Sequence, residues 1–139
     1  MTNLPFHYAF LVKDLESTRK FYCEILGCKE GRSTETWVDF DFFGNQLSAH
    51  ISSEIPKPIN CGHVDKITVP IPHFGSVIDW DKFQQIAERI KKNNIQFIIE
   101  PTLRYEGKPG EQMTMFLTDF SNNPIEFKSF KKSNEIFAS

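Results

Sequence analysis

The stretch HYAFLVKDLESTRKF (residues 7–21) decides the fold, because two elements with different hydrophobic periods follow one another in it. Its first part, HYAFLV, alternates in the manner of a half-buried strand. After Asp14, the side chains of Leu15, Thr18 and Phe21 recur at helical spacing. Aspartate is one of the residue types that cap helix N-termini. The stretch therefore predicts a strand that leads directly into a helix.

The same order of elements recurs in HFGSVIDWDKFQQI (73–86), where Asp79 or Asp81 is expected to cap the helix. Three strands are predicted after each helix, and two of those in the first half surround a turn at Gly44-Asn45. Two similar βαβββ units indicate an internal duplication. The predicted fold class is α+β, with two βαβββ modules whose sheets form a half-barrel around a shared cleft.

We expect these modules to form a single domain. The first covers about residues 5–52, and a proline-containing linker covers about 53–65. The second module covers about residues 66–130, and a polar tail follows at 131–139. Within the second module, IQFIIEP (95–101) is predicted as a strand.

Composition excludes several classes of protein. The chain has 139 residues, and 40% hydrophobic with 24% charged residues is an ordinary globular balance. A formal charge of −2 offers no basic surface for nucleic acid. No apolar run approaches the roughly 20 residues of a membrane helix, and from the N-terminal residues we expect no secretion signal. Three cysteines, an odd number, suit free thiols in a reducing compartment, so we expect a cytoplasmic protein without a membrane partner.

Strand alternation sorts the polar side chains onto one face of each sheet. NQLSAHIS (45–52) alternates polar residues with three apolar ones, Leu47, Ala49 and Ile51. We expect the apolar set to lie under the helix and the polar set, including Ser48 and His50, to lie on the open face. By the same alternation, Glu126 faces the open side of the last strand. His7 lies opposite the bulkier, core-forming face of the first strand, which carries Tyr8, Phe10 and Val12.

A pseudo-twofold relation between the modules would bring His7, His73 and Glu126 together. Two imidazoles and one carboxylate suit a divalent transition metal and leave coordination positions open for a substrate. Two roles stay open for His50: a fourth ligand, or an acid–base group beside the metal. Taken singly, each residue has a plainer interpretation as a strand histidine, a loop histidine or an exposed glutamate. His63 is expected at the surface.

Several segments resemble a known superfamily. HYAFLVKDLESTRKFYCEILGCKEGR (7–32) is similar to an opening module with a metal-binding histidine, a capped helix and the motif FY…LG. TDFSNNPIEF (118–127) resembles a closing signature in which a D-x-x-G-N turn precedes a glutamate ligand. The chain resembles the vicinal oxygen chelate superfamily from about Phe6 to Lys128. WVDFDFFGNQL, VPIPHFG and GEQMTMF are similar to its glyoxalase/bleomycin-resistance/dioxygenase-like subgroup, which is related to extradiol dioxygenases.

The resemblance implies paired βαβββ modules around a metal centre whose ligands are His7, His73 and Glu126. Glyoxalase-like members carry a fourth ligand, a glutamate, at the place where this chain has Ser48. Without that glutamate, the site has three ligands, which makes it more similar to the sites of ring-cleaving and fosfomycin-type members. Asn122 replaces the usual glycine of the closing turn, and asparagine tolerates positive φ.

From the resemblance we expect a metal-dependent, extradiol-type ring-cleaving dioxygenase that acts on a small vicinal diol. Fe²⁺ or Mn²⁺ is the expected cofactor, and Zn²⁺, Ni²⁺ and Co²⁺ are further metals that such ligands accept. His50 or Tyr105 would move protons. The loop LRYEGKPG (103–110) is interpreted as a lid or as a solvated loop, and substrate contacts are expected from Arg104, Gln112 and Trp37.

Several alternatives to this function stay open. Within enzymes they are a metal-dependent glyoxalase, isomerase, lyase or thiol transferase. From another class, a metal-free protein that sequesters a small-molecule drug is the alternative. Many members of the superfamily are homodimers, so a homodimer is expected, with sites formed within one chain or shared between two.

Overall fold

The computed structural model describes residues 4–139. In this range the chain forms strands joined by loops, two α-helices, a π-helical segment that continues the first helix, and a short 3-10 helix near the end. In chain order the elements are β1 (His7–Val12), α1 (Leu15–Arg19), the π-helical segment (Lys20–Ile25), β2 (Lys29–Ser33), β3 (Trp37–Phe42), β4 (Asn45–Ile51), β5 (Ile59–Val64), β6 (Ile67–Ile71), β7 (Phe74–Val77), α2 (Trp80–Lys92), β8 (Ile99–Arg104), β9 (Gln112–Thr118), β10 (Pro124–Phe130) and the 3-10 helix (Ser133–Glu135).

Two four-stranded sheets have the same topology. The first has the order β1-β4-β3-β2 and the second the order β7-β10-β9-β8. In each sheet the first strand pairs in parallel with the last, and the remaining neighbours are antiparallel. The predicted α+β fold with two βαβββ modules is confirmed.

The contacts divide the chain into two compact units. The first unit consists of the described part of Met1–Lys57 together with Asp119–Asn123, the loop between β9 and β10. The second unit consists of Pro58–Thr118 and Pro124–Ser139. Each unit contains one of the two four-stranded sheets.

A two-stranded sheet, β5 with β6, corrects the prediction that residues 53–65 are only a linker. Pro56 and Pro58 lie before β5. Proline lacks the backbone N–H that a paired strand residue donates, so this position outside the strand is the expected one. The residues after Pro58 satisfy their backbone groups by antiparallel pairing with β6. The strand predicted at 95–101 is also displaced, because β8 begins at Ile99 and continues to Arg104, into the predicted loop.

The first unit buries most of the apolar face that the sequence predicts for β1 and β4. Phe10 and Val12 of β1 are buried, and so are Leu47 and Ala49 of β4. Ile51 was expected under the helix but is 42% exposed, since it is the last residue of β4. The buried face of β4 therefore ends at Ala49, two residues earlier than predicted.

The helix of the first unit begins as predicted. The Asp14 carboxylate accepts a hydrogen bond from the backbone N–H of Ser17 at 2.6 Å, and this bond holds the pKa of Asp14 below its usual value. The hairpin between β3 and β4 is also present, but its turn consists of Phe43 and Gly44, both with positive φ, rather than Gly44-Asn45. Asn45 already belongs to β4.

Asp119 organises the loop between β9 and β10. Its carboxylate accepts hydrogen bonds from the Tyr22 hydroxyl at 2.8 Å, from the backbone N–H groups of Ser121 and Asn123, and from the Asn123 side chain. The Asn123 amide also donates to the carbonyl of Leu11. Asn122 has a φ of +65°, as expected for the residue that replaces a glycine here. These bonds fix the loop within the first unit.

The second unit packs α2 against β10. Asp79 caps this helix by accepting from the N–H of Lys82 at 2.8 Å, which settles the choice between Asp79 and Asp81. The buried face of α2 and the core face of β10 consist of apolar side chains, namely Phe83, Ile86, Ala87, Ile90, Ile125 and Phe127. Within residues 4–139, no helix has the length and apolar character to cross a membrane.

Candidate metal centre

His73 and Glu126 lie side by side in the second unit. The distance from His73 Nε2 to Glu126 Oε1 is 3.4 Å. The histidine side chain is 24% exposed and the glutamate 9%, so the pair is mostly withdrawn from solvent but remains reachable. His73 directly precedes β7, whereas the sequence predicted it on an interrupted strand. The structure thus brings together two of the three predicted ligands.

The His73 ring is held in one orientation. Its Nδ1 lies 2.9 Å from the carbonyl oxygen of Pro70. A carbonyl only accepts, so Nδ1 carries a proton and Nε2 points towards Glu126. The ring also contacts Phe116 edge to face, with 4.7 Å between the ring centroids. A histidine whose Nδ1 donates to a backbone carbonyl is oriented as metal-binding histidines commonly are.

Glu126 is held from two sides. The Thr114 hydroxyl donates to Oε2, which leaves Oε1 towards His73. Burial raises the pKa of Glu126, but the hydrogen bonds from His73 and Thr114 outweigh burial and leave the pKa below its usual value. The contact with Glu126 raises the pKa of His73. The backbone of Glu126 is also closely packed. β7 approaches it so closely at Gly75 that an added Cβ would lie 1.6 Å from the Glu126 carbonyl oxygen.

His7 occupies the corresponding place in the first unit. It is exposed, and its Nδ1 lies 2.8 Å from Gln46 Oε1. Gln46 Nε2 in turn lies 3.4 Å from Asp39 Oδ2. The bond at Nδ1 leaves Nε2 of His7 as the nitrogen with an available lone pair.

The strand register shows which positions of the two units correspond. Counted from the two histidines, β1 pairs with β4 in the same register in which β7 pairs with β10. In that register Ser48 corresponds to Glu126, and His50 corresponds to Lys128. The Ser48 hydroxyl donates to Asp39 Oδ1 at 2.6 Å, so a buried carboxylate lies beside it on the neighbouring strand.

The residue types present suit a divalent cation. Two ligands at about 2.0–2.2 Å from one cation and at right angles to each other lie about 3 Å apart, close to the separation of His73 and Glu126. In both histidines Nδ1 is hydrogen-bonded to an oxygen, of Gln46 or of the Pro70 carbonyl, and such a bond fixes the orientation of the ring. Among residues 4–139, no set of three or more His, Cys, Asp or Glu side chains is already gathered for a metal. His7 belongs to the first unit, and His73 and Glu126 belong to the second.

The remaining predicted site residues fall into two groups. In the first unit, His50 is exposed and lies beside Trp37, with 6.3 Å between the ring centroids. In the second unit, Arg104 Nη2 donates to the Tyr105 hydroxyl at 3.1 Å. Arg104 is paired in register with Gln112 across β8 and β9. His63 lies on β5 and is exposed, as expected.

Two buried polar atoms of the second unit lack a hydrogen-bond partner among the described residues. They are Arg104 Nε and Gln112 Oε1. Arg104 Nε also lies 3.8 Å from Asp65 Oδ2, a weak contact because Asp65 is 68% exposed. Buried polar groups normally have partners, so two such atoms on paired residues indicate a place where a ligand or water binds.

Sequence reasoning missed Asp39, Gln46 and the Pro70 carbonyl as groups that orient the histidines. Strand alternation already places Asp39 and Gln46 on the open face, which is the signal that could have found them. A backbone carbonyl has no sequence signal of its own, so its role could be seen only in the structure.

The comparisons with known proteins agree with this architecture. Residues 5–127 match the model of the Glyoxalase/Bleomycin resistance protein/Dioxygenase superfamily. A glyoxalase/bleomycin resistance protein/dioxygenase from Alicyclobacillus acidocaldarius is 32% identical over 96% of each chain, with a TM-score of 0.77. A comparison with curated proteins gave no match.

More distant structures share the fold alone. The fosfomycin resistance protein FosX from Listeria monocytogenes is 19% identical over 97% of this chain and 98% of its own, with a TM-score of 0.69. FosX from Mesorhizobium loti is 16% identical over 99% of both chains, with a TM-score of 0.66. On the family match and the 32% identical structure, this chain belongs to the Glyoxalase/Bleomycin resistance protein/Dioxygenase superfamily, which is the vicinal oxygen chelate superfamily.

Proposed function

We propose that this protein is a metal-dependent enzyme that holds a divalent metal ion with His7, His73 and Glu126 and cleaves the ring of a small vicinal diol with O₂. The observation that carries the proposal is the contact of His73 Nε2 with Glu126 Oε1 at 3.4 Å, with Nδ1 of the same ring bound to the Pro70 carbonyl. Two histidines and one carboxylate form the ligand set of non-haem iron oxygenases. In such a cleavage both atoms of O₂ enter the product, so no external reductant is required.

A bound Fe²⁺ or Mn²⁺ ion would supply Lewis-acid and redox chemistry at two neighbouring substrate oxygens. The chain's own groups would position the substrate and handle its protons. His50 and Tyr105 are the proposed proton-handling groups, since both are exposed and carry a polar atom that can exchange a proton. Trp37 stands beside His50 and offers an apolar surface to an aromatic ring.

The second unit offers a place for a polar substituent of the substrate. Arg104 Nε and Gln112 Oε1 are a buried donor and a buried acceptor without hydrogen-bond partners among residues 4–139. Gln112 and Tyr105 line a groove of about 450 Å³. A substituent with an acceptor and a donor, such as a hydroxyl group, would satisfy both atoms.

The absence of a carboxylate at Ser48 argues against the four-ligand glyoxalase alternative. Ser48 corresponds to Glu126, yet its hydroxyl is occupied by Asp39 at 2.6 Å. A three-ligand site with open positions suits a substrate that binds through two oxygens. The isomerase, transferase and metal-free alternatives are distinguished by metal content and by the products formed.

The test begins with the metal content of protein purified without chelators. The apoprotein is then loaded anaerobically with Fe²⁺ or Mn²⁺ and supplied with air and a series of catechols, and ring cleavage is followed by the yellow absorbance of the products. His73→Ala is expected to lose metal and product formation. The matched control is His63→Ala, which removes an exposed imidazole of β5 and should retain both.

Metal uptake without cleavage of any diol would point to an isomerase or transferase. Absence of metal uptake in the wild-type protein would reject the metal site and favour a metal-free binding protein. Equal metal content in His73→Ala and His63→Ala would remove His73 from the site.

We further propose a small-molecule substrate, a cytoplasmic location and a homodimer. His7 would come from the same chain as Glu126 or from a second copy. Mixing His7→Ala with Glu126→Gln protein distinguishes these cases, because a site shared between two chains is rebuilt in the mixed dimer. Metal uptake that stays absent after mixing and refolding would assign each site to one chain.

A further inference from the structure

In the first unit, a series of hydrogen bonds connects His7 to three further side chains. His7 Nδ1 lies 2.8 Å from Gln46 Oε1, and Gln46 Nε2 lies 3.4 Å from Asp39 Oδ2. The other oxygen of Asp39 accepts from the Ser48 hydroxyl at 2.6 Å. The series crosses three adjacent strands, β1, β4 and β3. Asp39 is its buried end, with 7% of its surface exposed.

The chemistry of each group gives the series a direction. A carboxylate only accepts hydrogen bonds, so Asp39 requires that Gln46 turn its NH₂ group towards it. The carbonyl oxygen of the same amide then faces His7. A carbonyl also only accepts, so the proton of the neutral ring must be on Nδ1. The lone pair is then on Nε2, the nitrogen on the far side of the ring from Gln46.

We propose that Gln46 and Asp39 are positioning residues that fix His7 as its Nδ1–H tautomer and thereby prepare Nε2 as a metal ligand. Gln46 touches the ring, and Asp39 acts through Gln46 by deciding which way the amide points. Ser48 holds Asp39 in place. The link to a metal rests on the proposed function, whereas the fixing of the tautomer does not.

The distances rank the two residues. The bond from His7 to Gln46 is of ordinary length, whereas 3.4 Å between Gln46 and Asp39 is long for a hydrogen bond. Loss of the group that orients a ligating histidine costs about 10- to 100-fold in metal affinity. We therefore expect Gln46→Ala to weaken metal binding by roughly 10-fold or more, and Asp39→Asn by less.

The tautomer can be read in the metal-free protein. Long-range ¹H–¹⁵N spectra of the uniformly ¹⁵N-labelled full chain, recorded above neutral pH with a chelator present, distinguish the two ring nitrogens. His7→Ala assigns the signals by their loss. The wild-type protein should show His7 as the Nδ1–H form. Gln46→Ala should shift it towards the Nε2–H form that free histidine favours, and Asp39→Asn should give a mixture because an asparagine accepts either amide orientation.

Asp41→Asn is the matched control. Asp41 lies on the same strand and the same face as Asp39 and is the register partner of Gln46, but its carboxylate accepts from the Gly44 N–H rather than from Gln46. The variant therefore makes the same change of charge and the same chemical substitution without removing a bond to Gln46. Its His7 signals should match the wild type. Equal shifts in Asp39→Asn and Asp41→Asn would overturn the proposal, because the loss of negative charge alone would then explain them.

Gln46 is exposed, so Gln46→Ala is expected to fold even if Asp39→Asn does not. An unchanged Nδ1–H form in Gln46→Ala overturns the proposal on its own. The affinity for Mn²⁺ alone is measured in parallel. If the tautomer shifts but the wild-type protein binds no Mn²⁺ or Fe²⁺, the orienting role is supported and the proposed function is rejected.

Discussion

In both units a hydroxyl donates to a carboxylate on the neighbouring strand, but the strands that carry the two groups are exchanged. In the first unit the hydroxyl is on β4 and the carboxylate on β3, since Ser48 donates to Asp39. In the second unit the carboxylate is on β10, the counterpart of β4, and the hydroxyl is on β9, since Thr114 donates to Glu126. Only in the second unit does the carboxylate come from the strand that pairs with the histidine-bearing segment.

This exchange explains why one unit pairs a histidine with a carboxylate and the other does not. Glu126 reaches His73 directly, at 3.4 Å. Asp39 reaches His7 only through Gln46. A duplicated backbone therefore supplies a histidine–carboxylate pair in one copy and a single oriented imidazole in the other. The difference lies in which of two adjacent strands carries the acid.

The largest expected effect concerns the backbone beside Glu126. Ala9 and Gly75 correspond in register, but only at Gly75 would a Cβ lie 1.6 Å from a carbonyl oxygen. We expect Gly75→Ala to separate β7 from β10 and to lower the free energy of unfolding by about 3 kcal/mol. Ala9→Gly, the reverse change in the first unit, should cost about 0.5–1 kcal/mol. Urea unfolding of both variants is the measurement, and equal losses would contradict the difference between the units.

The second expected effect concerns the corresponding hairpin connections. The β3–β4 turn depends on Asp41, which accepts from the Gly44 N–H at 2.9 Å at an exposed site. The β9–β10 loop depends on Asp119, which is buried and accepts four hydrogen bonds. Asp119→Ala leaves the Tyr22 hydroxyl and other buried donors without partners, which we expect to cost about 2–3 kcal/mol.

Asp41→Ala is the matched change and should cost less than about 1 kcal/mol, because water replaces the lost acceptor. Tyr22→Phe removes only the bond from the Tyr22 hydroxyl to Asp119. Its loss of unfolding free energy should therefore lie between those of Asp41→Ala and Asp119→Ala. Thermal and urea unfolding give the ranking. A loss in Asp41→Ala as large as that in Asp119→Ala would show that burial does not distinguish the two connections.

The duplicated fold could be predicted because its signals are local. Alternation in HYAFLV, helical spacing after Asp14 and the same order after His73 are each contained within a few residues. The bounds of β8 could not be predicted, because the consecutive apolar residues 97–99 of IQFIIEP interrupt any alternation that would show which residues pair. The pairing of β5 with β6 was missed because Pro56 and Pro58 suggested a linker, although the pairing residues follow them.

The candidate site could likewise be predicted only in part. Alternation predicts Glu126 and Ser48 on the open face, whereas in the structure both side chains are buried, and each meets a polar partner. The roles of the ligands themselves remain predictions. The bond from His73 to the Pro70 carbonyl depends on the path of the backbone between β6 and β7. No residue type in the sequence encodes that path.

A smaller effect is expected at the buried polar atoms of the second unit. Gln112→Met keeps the length and burial of the side chain but removes its unpartnered Oε1 and its 3.1 Å bond to the Gly110 carbonyl. If Oε1 binds a substrate group, KM should rise about 10-fold, or 1.4 kcal/mol, while the unfolding free energy changes by less than about 1 kcal/mol. A large loss of stability with an unchanged KM would assign Gln112 a structural role instead.

The smallest expected effect is a pH dependence confined to the second unit. The contact with Glu126 raises the pKa of His73, so its stabilisation is complete below the ordinary histidine value of 6.5 and is lost as pH rises through the raised pKa. Burial raises the pKa of Glu126, but hydrogen bonds from His73 and Thr114 leave it lowered. The glutamate contribution is therefore complete above 4.5 and is lost as pH falls through the lowered pKa.

The metal-free protein should consequently gain most from this pair between pH 4.5 and 6.5. Melting temperatures measured across pH with a chelator present test this, and His73→Ala should remove the alkaline loss that belongs to the pair. His63→Ala should keep it, because His63 lies on β5 outside the pair. Parallel curves for the wild type and His73→Ala would mean that the contact between imidazole and carboxylate adds nothing to folding. Folding stability would then not explain why the second unit keeps these two groups together.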